Sequence, residues 1–136
     1  MSRTVLLFSL LLSVAGCSSL PGLNTKQVQA NEMATIRNLS AIANAQVYFY
    51  STKNRYASQL SELGASGADL IPADLAAGNK SGYRFQLTGD AKAYKVTAVP
   101  VTPGATGRRT FYSDQTLAIR ASEGPDPAGP SSPEVK

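Results

Sequence analysis

The chain has one cysteine and no histidine, so few of its side chains can do chemistry. Cys17 is the only thiol; it follows Val14-Ala15-Gly16 directly and cannot close a disulfide within the chain. Without His or a second Cys there is no Cys–His or Ser–His pair, and the commonest transition-metal ligands are missing. Oxygen chemistry is the remaining option, and the nine acidic residues are dispersed. Asp69 and Asp74 share a loop that can gather oxygens around a hard cation such as calcium, though no EF-hand spacing is present. They are weak calcium candidates; the expected metal, cofactor and catalytic complement is otherwise none. Asp114 is expected to shape a hairpin turn.

What surrounds Cys17 gives the thiol a use. Met1-Ser2-Arg3 is a short positive start, and Val5 to Val14 is an apolar run. At about ten residues the run is half of what a membrane-spanning helix needs, so it reads as the core of a signal peptide. Ala15-Gly16-Cys17 then resembles the bacterial lipobox. That resemblance implies a diacylglycerol on the Cys17 sulfur, cleavage between Gly16 and Cys17, and acylation of the new amino group. Two or three acyl chains hold a protein on a bilayer, whereas one binds only reversibly. The expected location is the cell envelope, lipid-anchored. In a host with two membranes, Ser18 in place of Asp after the Cys resembles an outer-membrane address.

One apparent motif falls away. Lys80-Ser81-Gly82 resembles the third box of penicillin-recognising serine enzymes, but no Ser in the chain has Lys three positions later, as their nucleophile motif requires. The triplet reads as a turn before a strand. Net charge is +4, with positive residues scattered and Arg108-Arg109 their only adjacent pair. A nucleic-acid binder concentrates its basic residues on one face or run, so no nucleic-acid partner is expected.

The division that follows is a signal peptide at 1–16, a tether at 17–26, a folded domain at 27–122 and a disordered Pro-rich tail at 123–136. The tether contains Pro21-Gly22 and lacks periodicity, and the tail has four prolines and two glycines between Glu123 and Pro133. From Val28 to about Lys53 there is no Gly or Pro. On a helical wheel Ile36, Leu39, Ala43, Val47 and Tyr50 form one stripe with Ile42 beside it, and Arg37, Ala41, Asn44 and Tyr48 lie opposite. The first turns carry Lys26, Gln27, Gln29, Asn31 and Glu32 and read as solvated. Ser58 is placed to cap a short turn containing Leu60 and Leu63 and ending at Gly64, and Pro72 to open another.

After Gly78 the period becomes two. Tyr83, Phe85 and Leu87 alternate with polar neighbours, as do Tyr94, Val96 and Ala98 before Pro100 disturbs the pattern. Residues 109–113 and 117–120 complete a hairpin. Tyr83 and Tyr94 are expected to pack in the core with their hydroxyls near its rim. The fold class is α+β, a long N-terminal helix packed on a three- to four-stranded antiparallel sheet.

Asn31 to Arg120 is similar to the globular domain of type IV pilins and type II secretion pseudopilins. The similarity runs through Asn31-Glu32, Ile36-Arg37-Asn38-Leu39, Ala45-Gln46, Tyr56-Ala57 and Leu63-Gly64. It continues through Lys80 to Phe85, Pro100 to Gly104 and Gly107 to Gln115, before Ile119-Arg120. It implies a pilin-like fold and a non-catalytic interaction domain, an accessory of a type IV pilus or type II secretion system. Some pseudopilins bind calcium in the region where Asp69 and Asp74 fall. Pilins open with a prepilin-peptidase site and a long apolar half-helix; here a lipobox and tether stand in their place, which puts the standard filament role in doubt. Two other roles stay open: a genuine filament subunit, and a small-ligand-binding envelope protein.

Overall fold

The structure, a computed structural model, describes residues 21–136. The signal segment 1–16, Gly16 and Cys17, and residues 18–20 of the expected tether lie outside the described residues. One long helix, α1 (Pro21–Lys53), precedes two single turns, α2 (Leu60–Leu63) and α3 (Ala73–Ala76). Five strands follow: β1 (Asn79–Lys80), β2 (Tyr83–Gly89), β3 (Tyr94–Pro100), β4 (Arg109–Asp114) and β5 (Ile119–Glu123). All pair antiparallel in the order β1-β2-β3-β4-β5. This is the α+β architecture expected, with one strand more than the upper expectation.

The extra strand is β1, which the Lys80-Ser81-Gly82 turn creates. Ser81 and Gly82 both have positive φ, 54° and 74°, the geometry of a two-residue hairpin that matches strand twist. Lys80 therefore faces Tyr83 across a tight turn. β2 and β3 alternate as read, with Tyr83, Phe85, Leu87, Tyr94, Val96 and Ala98 all buried. Leu117, however, is in the β4–β5 turn with φ 67° and is exposed, so the last strand starts at Ile119. Asp114 shapes that turn as expected, its Oδ1 accepting the Thr116 N–H at 3.0 Å and its Oδ2 the Tyr112 hydroxyl at 3.0 Å.

The helix face differs from the apolar stripe. Leu39, Ile42 and Ala43 are buried and Arg37, Asn44 and Tyr48 exposed, as expected, but Val47 is 52 % exposed and Tyr50 39 %. In their place Val28, Glu32, Thr35, Gln46 and Phe49 turn inward. Three of these five are polar, which is why hydrophobic periodicity sets the buried face to one side of its true position. Two of the three have partners that offset their desolvation. Gln46 Nε2 donates to the Ala57 carbonyl at 3.1 Å, and Oε1 accepts the Ala57 N–H at 2.8 Å. One side chain thus satisfies both backbone groups of a fully buried residue in the turn after α1.

The ends of the domain also depart from expectation. Residues 21–26 are helical rather than a tether. Proline is compatible with a first helical turn, where its missing N–H has no intrahelical role, and the early turns are docked on the 102–107 loop. Asn24 Nδ2 donates to the Gly104 carbonyl at 3.4 Å and Asn31 Nδ2 to that of Thr106 at 2.9 Å. The tail 123–136 is not disordered. Its residues 126–135 lie against β4 and β5, with Ala128 buried and Glu134 bridged antiparallel to Arg120. Proline-rich chain stays extended without internal hydrogen bonds, so it can serve as a strap where side chains hold it.

Two small corrections concern the short turns. Ser58 is not the cap of α2; Gln59 holds that position without a side-chain bond, and Ser58 instead donates its N–H and hydroxyl to Glu62 Oε2. Pro72 precedes α3 as its N-cap and is not its first helical residue.

Candidate functional site

The two acidic candidates are held by the fold in different ways. Asp74 Oδ1 accepts the Leu75 N–H at 2.8 Å and a Lys80 Nζ–H at 3.3 Å. The Leu75 N–H first, and Lys80 after it, hold this carboxyl below the usual range. Asp69 is an exposed loop residue at φ 54°, a conformation that short polar side chains tolerate. Among the described residues no group of three or more His, Cys, Asp or Glu side chains converges as a metal site. Asp74, its side chain 56 % exposed, pairs with Lys80 at the surface.

Arg108 and Arg109 are divided by the fold. Arg108 is exposed, whereas Arg109 Nε donates to Glu32 Oε2 at 2.9 Å. Glu32 Oε1 accepts the N–H groups of Arg108 at 2.9 Å and Arg109 at 3.1 Å. A buried carboxylate with three donors is a strong clamp, here between the fourth turn of α1 and the start of β4. Reading Glu32 as solvated overlooked it. The only sequence signal was a lone acid in an otherwise acid-free helix, which does not name its partner. Beside the clamp Gly107 packs so tightly on Tyr83 that a Cβ there would overlap the hydroxyl. That hydroxyl donates to the Arg109 carbonyl at 2.7 Å.

The tyrosines divide likewise. Tyr83 and Tyr94 are core residues, and the Tyr94 ring packs 5.0 Å from that of Tyr56, tilted by 55°, which is itself 4.8 Å from Tyr50. Burial first, and Tyr56 and Asp114 after it, push the Tyr94 phenol up to about 12, so it is neutral at ordinary pH. Tyr48 stands out from α1 at 57 % exposure with Met33 and Val47. Lys26, Arg37 and Lys53 are the exposed charges of α1, whose single acid, Glu32, is turned inward.

The end of α1 carries a second clamp. Arg55 Nη2 lies 2.7 Å from Glu62 Oε1, and its guanidinium sits 5.1 Å from the centre of the Phe49 ring. The Arg55 bond, with those from Ser58, brings the Glu62 carboxyl to about 2 against the opposing effect of burial. A carboxyl depressed in the folded state stabilises above its unfolded value and loses that contribution as pH falls through the folded one. Denaturation midpoints of the wild type and Glu62→Gln should therefore differ at neutral pH and converge between about pH 4.5 and 2. A difference unchanged across that interval would refute the clamp. A surface groove of about 430 Å³ lies beside this clamp, lined by Phe49, Lys53 and Gly67 among others.

No described helix is long and apolar enough to cross a membrane. Compared with known proteins, the sequence matches no family model and no curated protein.

Proposed function

We propose that this chain is a lipid-anchored protein of the bacterial cell envelope whose folded part is a pilin-like, non-catalytic interaction domain. Its role is that of an accessory to a type IV pilus or type II secretion apparatus. The observation that carries this reading is the order of parts: a lone Cys17 behind a signal-like leader, one long helix, then an antiparallel sheet. Helix α1 is in place by Pro21, four positions beyond Cys17. At no more than ~3.6 Å per residue, such a connection keeps the start of α1 within about 15 Å of the Cys17 Cα. The domain then works close to the bilayer, which suits a component of an envelope assembly. The absence of His leaves the chain without the usual general base at neutral pH.

The exposed side of α1, which carries Met33, Val47 and Tyr48 on the same face as Lys26 and Arg37, is the surface this reading assigns to the partner, which carries acidic and apolar groups along its length. The test is co-purification of the detergent-extracted full chain from its native membrane. Pilus or secretion components should come with the wild type and be lost with Val47→Asp, an exposed change that leaves the fold intact. Retention of neither by the wild type, or equal retention by the variant, would overturn the assignment.

A further inference from the structure

We propose that residues 126–135 are a built-in guard of the β5 edge, and that the partner they exclude is the β5 strand of a second copy of this chain. β5 is the last strand of the sheet. In an antiparallel pair alternate residues turn their N–H and C=O groups away from the partner strand, and in β5 these belong to Ile119, Ala121 and Glu123. The strap takes two of them: Ala121 N–H donates to the Pro133 carbonyl at 3.0 Å, and Val135 N–H to that of Ile119 at 2.8 Å. It cannot take more at that point. Pro133 has no N–H to return to the Ala121 carbonyl, and Glu123 lies past the last strap bond. A groove of about 480 Å³ remains between the end of β5 and the strap.

The strap is held by side chains rather than by a full ladder. Thr110, 2 % exposed, donates its hydroxyl to the Asp126 carbonyl at 2.9 Å and accepts the Ala128 N–H at 2.8 Å. Arg120 Nη1 donates to the Ser132 carbonyl at 2.9 Å. The arrangement fills the place of a sixth strand with a segment whose prolines, at 127, 130 and 133, prevent it from templating a further one. Proline at sheet edges is a known defence against edge-to-edge association.

A second β5 fits the edge better than the strap does. Antiparallel pairing centred on Ala121 is two-fold and self-complementary. It sets Ala121 opposite Ala121, Arg120 opposite Ser122 and Ile119 opposite Glu123, so no like charges face each other. It also supplies the donor that Pro133 lacks.

The test uses the full chain in detergent with Ala121→Cys as reporter. In the proposed pair the two Cα atoms would lie about 5.5 Å apart, within disulfide range. With the strap in place, mild oxidation should give little linked dimer beyond that of the parent chain without the reporter. Adding Thr110→Val, which keeps the side-chain shape but removes both hooks, should speed amide exchange at Val135. It should raise the dimer about tenfold, the effect of losing one to two neutral hydrogen bonds. Ala128→Asp should do the same from the strap side without touching β4. Faster exchange at Val135 without more dimer would overturn the second copy as occupant. Unchanged protection of Val135 in both variants would overturn the guard itself.

Discussion

Truncating Phe111 to Ala should cost about 3–5 kcal/mol, a large part of the roughly 5–15 kcal/mol that holds a domain of this size. Phe111 is fully buried, with its ring 5.7 Å from that of Tyr83. Its cross-strand neighbours are Ala98 on β3 and Ala121 on β5. Small alanines flank Phe111 on both sides, and neither can reach into the hole its removal leaves. Tyr83 cannot follow either, since its hydroxyl is tied to the Arg109 carbonyl and pressed against Gly107. The cavity should therefore stay open, which places the cost at the upper end of such substitutions. Exposed changes on α1, Asn44→Ala and Val47→Ala, should each cost well under about 1 kcal/mol. Urea denaturation of the three variants checks this. Equal shifts for Phe111 and Val47 would mean that the buried side of α1 is the apolar stripe after all.

That contrast marks what the sequence made legible. Strict alternation in residues 83–87 and 94–98 revealed two strands and their inward faces, because a strand buried on one side writes its pattern directly. The uninterrupted stretch from Val28 to Lys53 revealed the helix. Its orientation was legible only in part: Leu39, Ile42 and Ala43 face inward as read, but so do Glu32, Thr35 and Gln46, and Glu32 and Gln46 are there for partners 76 and 11 residues away. Polarity shows that a residue needs a partner; it does not show where the partner is. The strap was hidden for a related reason. Proline and glycine content says that a segment cannot build its own core, but not that another strand's edge and one buried threonine can hold it. The extra strand β1 was hidden by its length of two residues, too short for any periodicity.

The candidate site followed the same rule. Asp74, one of the two weak calcium candidates, pairs with Lys80, a partner six residues on that the loop's composition does not name. Arg109 was read as one of a scattered surface charge set and is instead half of the Glu32 clamp. Asp114, whose role is local, was read correctly, since an Asx turn needs only residues two positions apart.

The second large effect is expected at Cys17. The proposed anchor is a thioether to the cysteine sulfur, and no other thiol exists in the chain to take its place. Acyl chains are the attachment on which this account relies. The most direct measurement is incorporation of labelled fatty acid, read together with membrane fractionation, in the wild type and in Cys17→Ser. The account predicts label on the wild type, which partitions with membranes, and none on the variant, which stays uncleaved or is released as soluble protein. Equal labelling of the two would contradict it.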